Sequence, residues 1–189
     1  MRRLLWAACA VLVLLSLAAK FREHLPERLR GAAGVVRLPV GLLWMNLREA
    51  DRELLAPVSG VRAAQVKDTW GAARGGGRRH EGQDIFARRG TEVYSATEGY
   101  VVRVGENTLG GKTVFVHGAG GRWYYYAHLD DYAPGLAVGD YVTPETLLGY
   151  VGDTGNAKGT PPHLHFGVYT SSGAINPHPL LTDRKKEKP

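Results

Sequence analysis

Cysteine is nearly missing: Cys9 stands alone among 189 residues, so no intrachain disulfide can brace the fold. Signatures of nucleic-acid binding are missing too, with no recognition helix, zinc-finger spacing or aromatic-basic RNA motif. The one long uncharged apolar run, Leu4–Ala19, has 16 residues. As a helix it would reach about 24 Å, short of a hydrocarbon core of roughly 30 Å. The bias of a disordered or collagen-like chain is absent as well, since hydrophobic residues make up 44% and charged residues 22%.

What is present is unevenly placed. Of 25 glycines, 22 follow Ala56. A glycine- and aromatic-rich C-terminal two-thirds argues for turns between short strands and against a helical bundle. The net charge of +6 is also localised: residues 1–90 carry 16 Lys/Arg and 8 Asp/Glu, residues 91–189 carry 8 and 10. A basic flank beside a near-neutral half fits an anionic surface nearby.

Arg2-Arg3, the run Leu4–Ala19 and then Lys20-Phe21-Arg22 have the form of an export signal. The segment 1–19 reads as a cleaved signal peptide or as an uncleaved anchor, helped by Phe21 and by snorkelling Lys20 and Arg22. No clean A-x-A site stands out, which favours the anchor. A buried core helix is the bland alternative. Cys9 interrupts the run rather than following it, which reads as a small apolar residue and not a lipid-attachment site. The expected location is the periplasmic face of the inner membrane, touched through residues 4–19, or the periplasm if the segment is removed. Residues 20–56 read as a helical connector. Leu43, Leu47, Ala50 and Leu54 recur at helical spacing within Leu42–Leu55, bracketed by Pro39 and Pro57. The tail from Asp183 to Pro189 reads as a solvated, disordered end.

Between them, over 57–182, β-prone runs alternate with turn signals: 91–96, 100–104, 112–117, 122–128, 146–151 and 163–169. The spacing predicts an all-β sandwich or barrel. Seven histidines are present, and four of them fall in patterns. His163 and His165 flank Leu164 on an expected strand, so both imidazoles project from one face. They share or surround a metal, or are merely two surface histidines. His80 and Asp84 form H-x-x-x-D where a glycine-rich loop enters a strand, a weak motif alone but one with zinc-type N and O donors. Glu81 is a competing donor, left out because an extended chain turns it to the opposite face. His128 ends an aromatic strand, where alternation puts it on one face with Tyr126 and Tyr124. The three segments together supply the three ligands of a catalytic zinc site and one or two spare imidazoles. Spacing does not say which of His163 and His165 takes the metal.

Four segments carry a family resemblance: Arg79–Ile85, Ala96–Val101, Tyr126–Leu129, and Gly155-Asn156 through Pro162–Phe166. In this order they resemble the lysostaphin/LytM-type zinc metallopeptidases, which are peptidoglycan endopeptidases. The resemblance covers about 57–182. It implies a mostly β, compact antiparallel domain of barrel-sandwich or duplicated-hybrid type, with the site in a groove. It implies one Zn2+ per chain held by His80, Asp84 and His165, and His128 and His163 as catalytic histidines beside a zinc-bound water. It implies peptidoglycan stem or bridge peptides as substrate. Some relatives place an oxyanion-steadying Tyr shortly before the first zinc histidine. Arg74–Arg79 has none, and Arg74 is the candidate replacement. His24, His117 and His178 are assigned structural or surface roles. The expectation is a zinc-dependent endopeptidase of the cell envelope. The alternatives are a non-catalytic wall-binding or amidase-activating module, which the intact ligand set disfavours, and a zinc peptidase acting on an exported protein.

Overall fold

The computed structural model describes residues 38–184. The expected export segment and His24 lie outside them. Among the described residues no helix is long and apolar enough to cross a membrane. The chain divides between Trp44 and Met45 into two compact units, and all the described strands belong to the second.

Among the described residues eleven strands run in order: β1 (Leu54–Leu55), β2 (Gln83–Phe86), β3 (Glu92–Tyr94), β4 (Gly99–Asn107), β5 (Gly111–Gly118), β6 (Trp123–Tyr132), β7 (Tyr141–Val142), β8 (Leu147–Val151), β9 (His163–Thr170), β10 (Gly173–Ile175) and β11 (Leu181–Thr182). Nine of them form one antiparallel sheet in the order β10-β9-β6-β5-β4-β7, with β2 also on β9, and β8 joining β6 to β3. The mostly antiparallel β architecture expected from the sequence is therefore present. The six expected runs became β3, β4, β5, β6, β8 and β9, because each carries β-branched and aromatic residues that suit a pleated, half-buried surface.

The core collects one side of these strands. Tyr124 and Tyr126 of β6, Leu164, Phe166 and Val168 of β9, and Val114 and Val116 of β5 are all fully buried. Tyr126 keeps its hydroxyl satisfied by accepting the Ala96 N–H at 2.9 Å. Tyr126 and Phe166 oppose each other across β6 and β9 with ring centroids 5.2 Å apart. Such cross-strand aromatic pairs fix register as well as adding burial.

Two sequence expectations need correction. Leu42–Leu55 is not one helix: helical structure spans 38–47, and Leu54–Leu55 are a strand pairing in parallel with Leu181–Thr182. Leu43 and Leu47 are exposed while Leu54 is fully buried. Burial of Leu54 against the sheet outweighs a helical spacing whose members Leu43 and Leu47 face solvent. The first two residues of the expected tail are also held in place, while 185–189 lie outside the described residues. Asp183 Oδ1 accepts the Ala63 N–H at 2.7 Å. Arg184 donates to the carbonyls of Ala56, Pro144 and Ser95 and lies over the Tyr94 ring.

Candidate active site

Strand register sets the floor of the site. On β9, His165 stands opposite Asp84 of β2 on one side and Ala127 of β6 on the other. Directly paired residues present their side chains to one face, so three strands aim Asp84, His165 and the small Ala127 together. His163, two residues earlier on β9, shares that face. His80 lies four residues before Asp84, at the end of a hairpin closed by Gly71 N–H to His80 O, His80 N–H to Ala72 O and Arg74 N–H to Arg78 O, each 2.9 Å.

His128 reaches the same place by a different device. Alternation along β6 should bury it beside Tyr124 and Tyr126, as expected from the sequence, and that expectation is wrong. Between the pairs Val114–Tyr126 and Lys112–Leu129, β6 carries one extra residue. His128 takes it up with φ of 62°, the only non-glycine residue described with positive φ. A bulge of this kind re-aims a side chain at the cost of local strain. Tyr124 and Tyr126 stay in the core while Tyr125, Ala127 and His128 line the groove.

All five candidate residues, His80, Asp84, His128, His163 and His165, therefore line one groove of about 550 Å³. His117 and His178 do not. His117 Nε2 meets Asn46 Oδ1 at 3.0 Å and His178 Nε2 meets the Val66 carbonyl at 2.8 Å, which are structural contacts.

Three donor atoms converge. His80 Nε2 lies 2.8 Å from His165 Nδ1 and 3.0 Å from Asp84 Oδ1, and His165 Nδ1 lies 3.2 Å from the same oxygen. Among the described residues this is the one cluster of three or more such donors. Its chemistry can be tested against a metal. His80 Nδ1–H donates to the Thr69 carbonyl at 2.8 Å, so a neutral His80 presents only a lone pair at Nε2. A lone pair and a carboxylate oxygen 3.0 Å apart need a positive centre between them. Tetrahedral zinc with bonds of about 2.0–2.1 Å would set its ligands roughly 3.3 Å apart, close to the separations seen. The residues present fit a zinc ion.

The electrostatics agree. Burial would raise the Asp84 carboxyl, but contacts with His165, His80 and Arg74 outweigh it and hold it well below the ordinary carboxylate range. Burial pushes His165 down despite the opposing pull of Asp84, which keeps its ring neutral and able to donate a lone pair. Burial, then the neighbouring His165, push His128 down to about 4. His128 Nδ1–H is held by the Thr154 carbonyl at 2.9 Å, and His163 Nδ1–H by the Pro161 carbonyl at 2.8 Å. Each ring thus keeps Nε2 as its proton-accepting atom. The two rings sit 5.1 Å apart, edge to face. Arg74, the candidate replacement for an oxyanion-steadying Tyr, donates to Asp84 Oδ2, so its charge is committed to the carboxylate. Glu81 lines the groove but stands outside the donor cluster.

The supporting contacts carried no signal in the sequence. Thr69 holds two members at once: its carbonyl takes the His80 proton and its Oγ1 accepts the Asp84 N–H at 3.0 Å. Thr154 accepts the His128 proton and anchors itself by donating to the Leu129 carbonyl and accepting the Lys112 N–H. Backbone carbonyls leave no residue-type mark, and only the fold shows which ones face an imidazole. Gly82 has a comparable hidden role, because a Cβ there would sit 2.6 Å from His165 Cε1 and 2.8 Å from the Phe166 carbonyl oxygen.

Two histidines and one carboxylate around a lone-pair focus, with two further imidazoles at an open groove, are the equipment of a metal-dependent hydrolase. The family model described as peptidase family M23 matches residues 78–177, and the chain belongs to that family. It is 41% identical over 126 residues to the L-Ala–D-Glu endopeptidase of Bacillus subtilis strain 168, covering 61% of this chain and 39% of that protein. Lysostaphin of Staphylococcus simulans is 34% identical over 111 residues, covering 56% of this chain and 22% of lysostaphin. The chain thus spans well under two thirds of either curated relative. The solved catalytic domain of that lysostaphin superposes with a TM-score of 0.55 at 31% identity, covering 62% of this chain and 92% of that one. A zinc-containing peptidase from Vibrio cholerae gives 0.54 at 25% identity, covering 68% and 39%.

Proposed function

We propose that this protein is a zinc-dependent endopeptidase that hydrolyses peptide bonds of peptidoglycan, exported to the cell envelope and attached to, or released from, the inner membrane through residues 4–19. The observation that carries the reading is the convergence of His80, Asp84 and His165 beside two imidazoles whose Nδ1 protons are already engaged. The relatives support the substrate class, being an L-Ala–D-Glu endopeptidase and a lysostaphin. The location rests on the basic start and apolar run of the sequence.

Zinc bound by the triad supplies a Lewis acid that polarises a carbonyl and acidifies a water molecule. The chain does the rest. His128 and His163, whose Nδ1 protons are engaged and whose Nε2 atoms accept, take a proton from the attacking water and return it to the leaving amine. Whichever of the two is protonated at the moment stabilises charge on the carbonyl oxygen. Thr154 and Pro161 hold the tautomers, so no reorganisation is needed as the proton moves. Thr69 and Arg74 hold the ligands, the usual task of groups behind a metal site. Ala127 and the glycine-rich rims keep the groove open to an extended chain.

Metal analysis of the purified protein, joined to digestion of purified sacculi, tests the reading. One zinc per chain and soluble products with a new amino terminus are expected. A metal-loaded protein that leaves sacculi intact but binds them would point to the wall-binding module instead. Cleavage of exported proteins alone would move the substrate.

A further inference from the structure

The groove has a charged side that the hydrolytic reading does not use. The hairpin that delivers His80 folds back at Gly75–Gly77, and Ala73 bridges Arg79 across it. It places Arg74, Arg78 and Arg79 on the groove wall, against Asp84 and Glu81 as the lining's carboxylates. Arg74 is committed to Asp84. Arg78 donates Nε to the Gly75 carbonyl at 3.2 Å, and Arg79 donates Nη1 to the Gly71 carbonyl at 3.1 Å. Those bonds hold the stems to the hairpin, yet among the described residues neither guanidinium has a carboxylate partner, and both are exposed. The facing wall, with Asn107, Leu109, Asn156 and Thr160, carries no charge.

An arginine fork matches a carboxylate in two parallel hydrogen bonds. The asymmetry is therefore a selection rule. We infer that Arg78 and Arg79 are specificity-determining residues which recognise a free carboxylate on the peptide beside the cleaved bond. The preferred substrate is an acidic peptide rather than a neutral bridge of glycines. The inference rests on the peptidase reading for its substrate, but not for its binding preference.

Two synthetic muropeptides identical except for a carboxylate or a carboxamide next to the scissile bond separate the two. Binding of both is measured by calorimetry at low and high salt, and cleavage by chromatography, with the full chain and with Arg78→Gln, Arg79→Gln and the double variant. The acidic twin should bind about three- to tenfold more tightly, between the effect of an exposed ion pair and that of a charge-assisted fork. The gain should appear in KM with kcat unchanged, shrink in high salt, and vanish in the double variant while the carboxamide twin is unaffected. Equal binding of the twins by the wild-type protein, or a preference that survives in the double variant, would overturn the inference whether or not either is cut. Preference without cleavage would support the arginine wall and count against the peptidase reading.

Discussion

His128 offers a test in which the usual order of two substitutions reverses. Both His128→Ala and His128→Gly remove the imidazole, the proton acceptor and the bond to the Thr154 carbonyl. They differ in one methyl group on a backbone held at φ of 62°. At an ordinary strand position glycine is less stable than alanine by about 0.5–1 kcal/mol, because it loses more freedom on folding. In the left-handed region an L residue with a Cβ carries a cost of about 1–2 kcal/mol that glycine avoids. The difference favours glycine by about 0.5–1 kcal/mol. For a domain of this size that is roughly 1–4 °C in Tm. Differential scanning calorimetry of the two metal-loaded variants reads it directly. Turnover should fall about 10²–10⁴-fold in both, as expected for loss of a general acid–base group, so activity cannot account for the stability order. An alanine variant as stable as the glycine variant, or more so, would refute the claim that the bulge at His128 stores strain.

Further predictions concern the ligands and the shell behind them. Asp84→Ala and His165→Ala should each lose most of their zinc and their metal-dependent gain in Tm, whereas His163→Ala should retain metal and lose turnover; elemental analysis beside a single-turnover assay reads both, and zinc loss confined to His163→Ala would exchange the two strand histidines. Gly82→Ala puts a methyl group against the His165 ring and the Phe166 carbonyl, so zinc affinity should drop about 10–100-fold, as for other disturbances behind a metal ligand; unchanged affinity in a competition titration would show that the ring gives way freely. His117 is lowered by burial, so its contribution to stability is complete above its unfolded value of about 6.5 and is lost as pH falls through its lower folded value. Replacing His117 by Gln should flatten the acid side of the stability profile measured by denaturant titration, and an unaltered slope would contradict the assignment.

The sequence exposed the site better than it exposed the frame. H-x-H on a strand needs only the two-residue period to bring His163 and His165 together, and family order brings in His80 and Asp84. His128 was legible as a groove residue from the resemblance, but the two-residue period put it on the wrong face. An extra residue in β6 is visible only against its partner β5, and a single strand does not display its register. Leu54 misled for a related reason. Its helical spacing is local, whereas its partner Leu181 lies at the far end of the chain. The carbonyls of Thr69, Thr154 and Pro161 were illegible because every residue has one.

The parallel pairing of β1 with β11 gives the domain a mechanical direction. Leu54 and Leu55 run alongside Leu181 and Thr182 in the same sense. A pull applied between residue 53 and Arg184 acts on the two strands from opposite ends. The ladder is then loaded side by side and must slip as a unit, instead of opening one hydrogen bond at a time. Arg184, tied to the Ala56, Pro144 and Ser95 carbonyls, adds a second fastening beyond the strand.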